Sequence, residues 1–244
     1  GTIAESSKKA SDDILKILAK NKKNNYRYGL ISGGSYTKIS EQVGNVNVKN
    51  TKKDSLFDYV FCENGMIGYK NDKIFFEKKL IDIFENKKLV KIENFILNTV
   101  SKNFSIYSNN QDKLVRRNSL WYFSLCGVNC NDIVRNEFIK LDSNDKIRMK
   151  IIKILKDDLL IKYNLEIKLG GNIGLAISPK GWDKSYIVKN KIITTEDYSK
   201  IYFFGDKCTP EGNDYPLYNH QSVKGIEVKD PDDTLNKIKK WNFL

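Results

Sequence analysis

Apolar positions along this chain change rhythm twice. Behind the acidic pair Asp12–Asp13 they recur as Ile14, Leu15 and Leu18, which predicts a helix from Ser11 to Lys20 with Ser11 as its cap. A short apolar run from Tyr26 to Ser32 then predicts a strand ending in Gly33-Gly34-Ser35. A second helix is predicted from near Tyr36 to a stop at Gly44, and Asp58 to Cys62 and Ile67 to Tyr69 read as strands around the turn Glu63-Asn64-Gly65. Helix alternating with short apolar strand is the pattern of an α/β layer with a mostly parallel sheet.

The middle of the chain has a different pattern. Leu80 to Val100 carries apolar residues at helical spacing, Lys146 to Leu160 is a second amphipathic stretch, and Leu120 to Gly127 is an aromatic-rich strand. Leu165 to Leu169 and Gly174 to Ser178 read as a strand pair around Gly170-Gly171. Two helices against antiparallel strands make an α+β pattern. After Pro179 the first rhythm returns, with a helix from Lys184, strands at Ile201 to Phe204 and Gly225 to Val228, and a last helix from Asp232 to Trp241. The expected organisation is a split α/β core, residues 1–75 and 179–244, interrupted by an α+β unit over 76–178.

Composition narrows the class. Of 244 residues, 40% are hydrophobic and 30% charged, which argues for a globular chain rather than a disordered one. No apolar run approaches the length of a membrane span, and Gly1-Thr2-Ile3-Ala4-Glu5 lacks the basic start and apolar run of a signal peptide. Cys62, Cys126, Cys130 and Cys208 include no CxxC pair, and the single histidine, His220, excludes a His-rich zinc site. The expectation is a reduced, cytoplasmic protein with no membrane partner. The net charge of +12 is spread over single and paired lysines, with no block of five or six basic residues, so a nucleic-acid partner is not expected.

Three segments carry candidate chemistry. Ile201 to Phe204 delivers Gly205 and Asp206 at the carboxyl end of a strand, with Asp214 eight positions on. Two such carboxylates either hold Mg²⁺ through oxygen ligands or are ordinary turn acids. Gly33-Gly34-Ser35 either cradles a phosphate with backbone N–H groups and the Ser35 hydroxyl, or caps the helix that follows. Lys184 opens a predicted helix, where a cation is unfavourable; either an anionic partner explains it or it is a solvated side chain.

Taken in order, Gly33-Gly34-Ser35 with Glu41-Gln42-Val43-Gly44, then Glu63-Asn64-Gly65, Pro179-Lys180-Gly181-Trp182-Asp183-Lys184 and Ile201-Tyr202-Phe203-Phe204-Gly205-Asp206-Lys207 resemble the eukaryotic phosphomannomutases of the haloacid-dehalogenase-like superfamily. The spacing is nearly collinear from Gly1 to Leu244. The resemblance implies an α/β fold, a Rossmann-like core with an inserted α+β cap domain. It also implies an isomerase of the intramolecular phosphotransferase kind, interconverting mannose 6-phosphate and mannose 1-phosphate for GDP-mannose synthesis through an aspartyl phosphate. Mg²⁺, a hexose bisphosphate activator, hexose phosphate ligands, a cytoplasmic location and a homodimer joined through the cap come with it.

Carried onto this sequence, the resemblance gives Ser35 the hydrogen bond to the transferring phosphoryl group and Lys184 the balancing charge. Asp206 becomes the strand-end Mg²⁺ ligand, Asp214 the acid that supports it, and Tyr218 a backbone carbonyl for a further cation. In the cap, Arg117 and Arg135 grip the distal phosphate, work that suits a planar guanidinium.

The sequence also departs from the pattern. The family's Asp-x-Asp-Gly-Thr coincides with Gly1-Thr2, so the phosphorylated aspartate and the acid/base aspartate are not among these residues. A first-loop arginine falls at Ser7 beside Lys8, and a cap arginine falls at Val128. A cap serine and aspartate fall at Gly174 and Ala176, and an acid and threonine of the second cation loop at His220 and Val223. The residues as given are therefore expected not to run the mutase cycle. They belong either to a piece of an intact phosphomannomutase or to a non-catalytic paralogue that binds sugar phosphate or pairs with an active subunit.

Overall fold

The computed structural model describes residues 1–5, 8–22, 26–44, 56–104, 112–194 and 198–240. Ser7 and Trp241, named above, lie outside them. The chain divides into two compact units, one of Gly1–Glu77 with Asp183–Leu244 and the other of Lys78–Trp182.

In the first unit, α1 (Asp12–Lys22), β1 (Gly29–Ile31), α2 (Tyr36–Val43) and β2 (Tyr59–Cys62) follow the predicted alternation, and β1 pairs parallel with β2. β3 (Ile67–Lys70) and β4 (Lys73–Glu77) extend the sheet antiparallel, in the order β1-β2-β3-β4. Alternation along β2 divides the core. Val60 and Cys62 pack with Leu18, Ile39, Val43 and Ile238, whereas Phe61 faces Ile187, Phe203 and Leu217. Helices from both ends of the chain thus cover one face of the strands. β9 (Tyr202–Gly205) and β10 (Lys224–Glu227) form a separate parallel pair, followed by α8 (Pro231–Lys240). Among the described residues, the ladders given to β1 and β9 lie on one side only, to β2 and β10.

The second unit has a four-stranded antiparallel sheet in the order β5-β6-β8-β7, built from β5 (Leu114–Arg116), β6 (Trp121–Ser124), β7 (Leu165–Gly170) and β8 (Gly174–Pro179). Its helices are α3 (Asn86–Asn103), α4 (Asp132–Asp145) and α5 (Ile147–Tyr163). Leu89, Ile92 and Ile96 of α3 and Ile151, Leu155 and Leu159 of α5 are buried, as are Trp121, Phe123, Leu175 and Ile177 of the sheet. The indole N–H of Trp121 donates to Glu93 of α3 at 2.9 Å, which satisfies the one polar atom this ring takes into the core.

Several expectations need correction. The helix expected from Leu80 begins at Asn86, because Leu80–Asp82 is a separate 3₁₀ turn and the Leu80 N–H is taken by the Asn118 carbonyl at 2.7 Å. Three helices, not two, accompany the sheet; α4 buries only Phe138 and Asp142, too thin a stripe to read as a helix face. The strand expected over Leu120 to Gly127 spans only Trp121–Ser124, since Gly127 turns with φ 94°. The helix expected from Lys184 is a single turn, α6 (Tyr186–Lys189). Among the described residues no helix is long and apolar enough to cross a membrane.

Candidate functional site

In the first unit, the carboxyl ends of β1 and β9 bring their loops to one cluster. Ser35 follows β1 and caps α2, its hydroxyl accepting the Lys38 N–H at 3.4 Å. That bond is long, and the side chain is exposed, so capping leaves the hydroxyl proton available to a ligand. Both sequence readings of Ser35 are thereby compatible. A cavity of about 400 Å³ opens beside it, lined by Ser35, by Lys8, Lys9 and Lys38 and by one acid, Glu41, a net positive setting.

The turn Glu63-Asn64-Gly65 locks onto this loop. Glu63 N–H donates to the Gly34 carbonyl at 3.1 Å and Asn64 N–H to the Ser32 carbonyl at 2.9 Å. The Asn64 side-chain oxygen, buried, accepts from the Asn213 amide at 3.1 Å. Asn64 and Asn213 thus tie the loop after β1 to the loop after β9. In the sequence Asn64 reads as a turn residue within Glu63-Asn64-Gly65, and nothing there pairs it with Asn213.

Lys184 is buried, which overturns the solvated reading. Its ammonium lies 2.6 Å from Asp214 Oδ1 and donates to the Ile31 carbonyl at 3.5 Å. The anionic partner that its position called for is Asp214, thirty residues on. The other Asp214 oxygen accepts the N–H groups of Asp206 at 3.0 Å and Lys207 at 2.9 Å. Burial by itself would raise the Asp214 carboxyl; the charge and hydrogen bond of Lys184, with the two backbone donors, outweigh it and hold the group below the ordinary carboxylate range. Asp214 is therefore not a simple turn acid. Gly212 makes the loop possible: a Cβ there would lie 2.1 Å from the Lys207 carbonyl oxygen.

Asp206 stands at the end of β9 with a half-buried carboxylate, and its Oδ1 accepts the Thr2 hydroxyl at 3.0 Å. The Thr2 carbonyl is in turn held by the Thr234 hydroxyl at 2.6 Å. Tyr218 closes α7 (Tyr215–Tyr218), its N–H bonded to the Asp214 carbonyl at 2.9 Å, and its own carbonyl faces Gly225 of β10. Among the described residues no three His, Cys, Asp or Glu side chains converge as a metal-holding group. Asp206 offers a carboxylate to a hard divalent ion, while both oxygens of Asp214 are engaged. That set fits Mg²⁺, which keeps several waters and takes one or two carboxylates together with ligand phosphate.

In the second unit, Arg117 follows β5 and stacks its guanidinium 4.9 Å from the ring centre of Tyr122 on β6. Arg135, on α4, and Arg148, on α5, act on the same phenol. Burial raises it, and the charges of Arg117, Arg135 and Arg148 only partly offset that rise. All three charges thus act on one phenol, and Arg117 lies against its ring. Arg148 was missed in the sequence. It holds Asp142 at 2.7 Å and donates to the Gly171 carbonyl at 2.9 Å, which fixes the turn between β7 and β8. A Cβ at Gly174 would lie 2.2 Å from the Tyr122 hydroxyl oxygen, and Tyr122 stands opposite Ala176 in the sheet. The Val128 N–H is bonded to the Asp112 carbonyl at 2.8 Å, and its side chain offers no charge.

Comparison with known proteins bears on these clusters. Residues 14–243 match the family described as eukaryotic phosphomannomutase. The chain is 34% identical over 238 residues to a phosphomannomutase of Encephalitozoon cuniculi (strain GB-M1), covering 98% of this chain and 89% of that one. It is 33% identical to a phosphomannomutase of Arabidopsis thaliana, covering 98% and 92%. Among solved structures it is similar to an N-terminally truncated, IMP-bound IMP-nucleotidase of Plasmodium falciparum, with TM-score 0.69 and 16% identity, covering 98% of this chain and 64% of that one, under two thirds of its length. SMU.1108c of Streptococcus mutans UA159 matches with TM-score 0.61 and 13% identity, covering 98% and 94%. The structural likenesses speak to fold alone. With the parallel strand pairs of the first unit, they make the fold α/β, a Rossmann-like core of haloacid-dehalogenase type.

Proposed function

Since the chain belongs to the eukaryotic phosphomannomutase family, we propose that it takes mannose 6-phosphate and mannose 1-phosphate as ligands and that its first unit is the phosphoryl-transfer core. The observation that carries this reading is the buried Lys184–Asp214 pair, which ties the end of β1 at Ile31, four residues before the exposed Ser35, to the backbone of Asp206 at the end of β9. An ammonium held by a carboxylate keeps a fixed position, so it can meet a phosphate without losing orientation.

In this reading Ser35 donates its hydroxyl proton to a phosphoryl oxygen, and Lys184 balances the charge of the incoming group. Asp206 would hold Mg²⁺, Asp214 orients the loop from behind, and the Tyr218 carbonyl serves a further cation. Mg²⁺ supplies neutralisation of phosphoryl charge. The second unit acts as the cap, with Arg117 and Arg135 gripping the distal phosphate as planar forks. Of the carboxylates of Asp206 and Asp214, which follow β9, that of Asp214 has both oxygens engaged. Turnover then needs a further carboxylate presented to Ser35 and Lys184, with a hexose bisphosphate to prime it. Exposed Ile133 and Ile161 support a homodimer through the cap, and free thiols at Cys62, Cys126, Cys130 and Cys208 support a cytoplasmic location.

The test is calorimetric titration with mannose 6-phosphate and Mg²⁺, alongside a turnover assay with mannose 1-phosphate and a hexose bisphosphate. These 244 residues are expected to bind without turning over, and to turn over once an apolar strand ending in Asp-x-Asp precedes Gly1. Absence of binding in both forms overturns the proposal. Binding without turnover in the extended form favours the second reading, a non-catalytic sugar-phosphate binder. Tyr122 filling the space beside Gly174, together with Ala176 and Val128, supports that alternative.

A further inference from the structure

Outside both arginine and carboxylate clusters, the second unit holds a pair of thiols. The sulfurs of Cys126 and Cys130 lie 3.7 Å apart, in van der Waals contact, across the turn that joins β6 to α4. Gly127, at φ 94°, makes the bend that returns the chain on itself. The Ser124 hydroxyl lies 3.3 Å from the Cys126 sulfur and donates to the Ile173 carbonyl at 3.2 Å. Cys126 is buried, whereas Cys130 is half-buried and reachable from solvent. Cys62 and Cys208 belong to the other unit and are both buried.

We propose that Cys126 and Cys130 are a redox-active dithiol that a peroxide converts to an intramolecular disulfide. The more accessible Cys130 reacts first, giving up its thiol proton as it attacks. Its sulfur attacks one peroxide oxygen, the O–O bond breaks, and the departing hydroxide takes up a proton to leave as water, which makes Cys130 a sulfenic acid. The Cys126 sulfur then attacks the Cys130 sulfur as its own proton is lost. The S–S bond forms, the S–O bond breaks, and the released hydroxide with that proton is a second water. Two thiols are oxidised by two electrons and one peroxide is reduced to two waters.

The order of attack follows from the surroundings. Burial pushes the Cys126 thiol up to about 11, against the Ser124 hydrogen bond, so Cys126 is poor at meeting an oxidant directly. Once Cys130 is a sulfenic acid, the neighbouring sulfur needs little motion to reach it. The sulfurs must close to about 2 Å, a displacement that side-chain rotation within a turn supplies. The bond would tie the end of β6 to Cys130, which directly precedes Asn131, whose side chain caps α4 by accepting the Val134 N–H at 3.0 Å. A dithiol reductant reverses the reaction by exchange.

The experiment treats the native full chain with hydrogen peroxide, alkylates it, unfolds it and digests it after arginine and lysine. One fragment, residues 118–135, carries both cysteines and no other. The expected result is that this fragment loses two hydrogens in mass and takes up no alkyl group until dithiothreitol is added, while Cys62 and Cys208 alkylate only after unfolding. Alkylation of both Cys126 and Cys130 after peroxide overturns the proposal. So does a Cys130 sulfinic acid without the two-hydrogen loss. In Cys126→Ser, Cys130 should stop at a sulfenic acid that dimedone traps, and an untrapped, alkylatable Cys130 there overturns the assigned order.

Discussion

The Lys184 ammonium and the Asp214 carboxylate, 2.6 Å apart and both buried, neutralise each other at the junction of two loops that are distant in sequence. Neither charge has water to fall back on. Lys184→Met leaves Asp214 with its backbone donors but no counter-charge, and is expected to cost about 3–5 kcal/mol. Chemical denaturation measures this directly. The double change Lys184→Met with Asp214→Leu removes both charges and should cost less than the single one.

Acid gives the same pair a second signature. Asp214 is held below the ordinary carboxylate range in the folded protein, so its folded-state value lies under its unfolded one. The resulting stabilisation is fully present above about pH 4 and is lost as pH falls through the folded-state value. Denaturation midpoints from about pH 7 to about pH 3 should fall more steeply for the natural chain than for Asp214→Asn, which starts lower and changes less.

Gly174 and Tyr122 exclude one another's growth. Gly174→Ser places a Cβ where the Tyr122 hydroxyl and Cζ already stand, 2.2 Å away, and is expected to destabilise by about 1–3 kcal/mol. Tyr122→Ala combined with Gly174→Ser should cost less than the two separate changes summed. A double-mutant cycle on unfolding free energy reads the coupling, expected between about 0.5 and 3 kcal/mol.

Ser35 serves a helix and, in the proposed function, a phosphate, and two substitutions separate the roles. Ser35→Asp retains a capping oxygen but sets a carboxylate against the anion, so stability should hold while mannose 6-phosphate binding is lost. Ser35→Ala loses the cap, at about 1 kcal/mol or less given the long bond, and weakens binding about tenfold or more. Melting temperature and calorimetry on the same samples distinguish them.

Which of these features could be read in advance depended on whether the signal was local. The face Ile151, Leu155 and Leu159 of α5 is spelled out at helical spacing, and β9 shows its apolar run with Gly205 and Asp206 at its end. α4 was illegible because its charged exterior leaves few buried positions. β4 was illegible because Ile74 and Phe75 are exposed on it and mark no buried face. The partners that give the site its character are non-local. Nothing in the segment around Lys184 names Asp214, and nothing around Asn64 names Asn213, since the contacts are made by the packing of loops far apart in sequence. Arg148 was hidden for a similar reason: besides Asp142, six residues back, it reaches the carbonyl of Gly171, which nothing in its own segment names.

The split of the first unit has a consequence for how the chain is made. Its α1 and α8 helices and its two parallel strand pairs come from opposite ends of the sequence, with all of residues 78–182 between them. During synthesis the second unit, contiguous and rich in near-neighbour contacts, is complete while half of the first is still missing. The first unit's Lys184–Asp214 pair can form only once residue 214 has emerged, and its Val60–Ile238 face only once α8 has. Premature termination late in the message would therefore release a chain with a finished middle and exposed, half-built flanks, whose bare strand edges invite pairing with other chains.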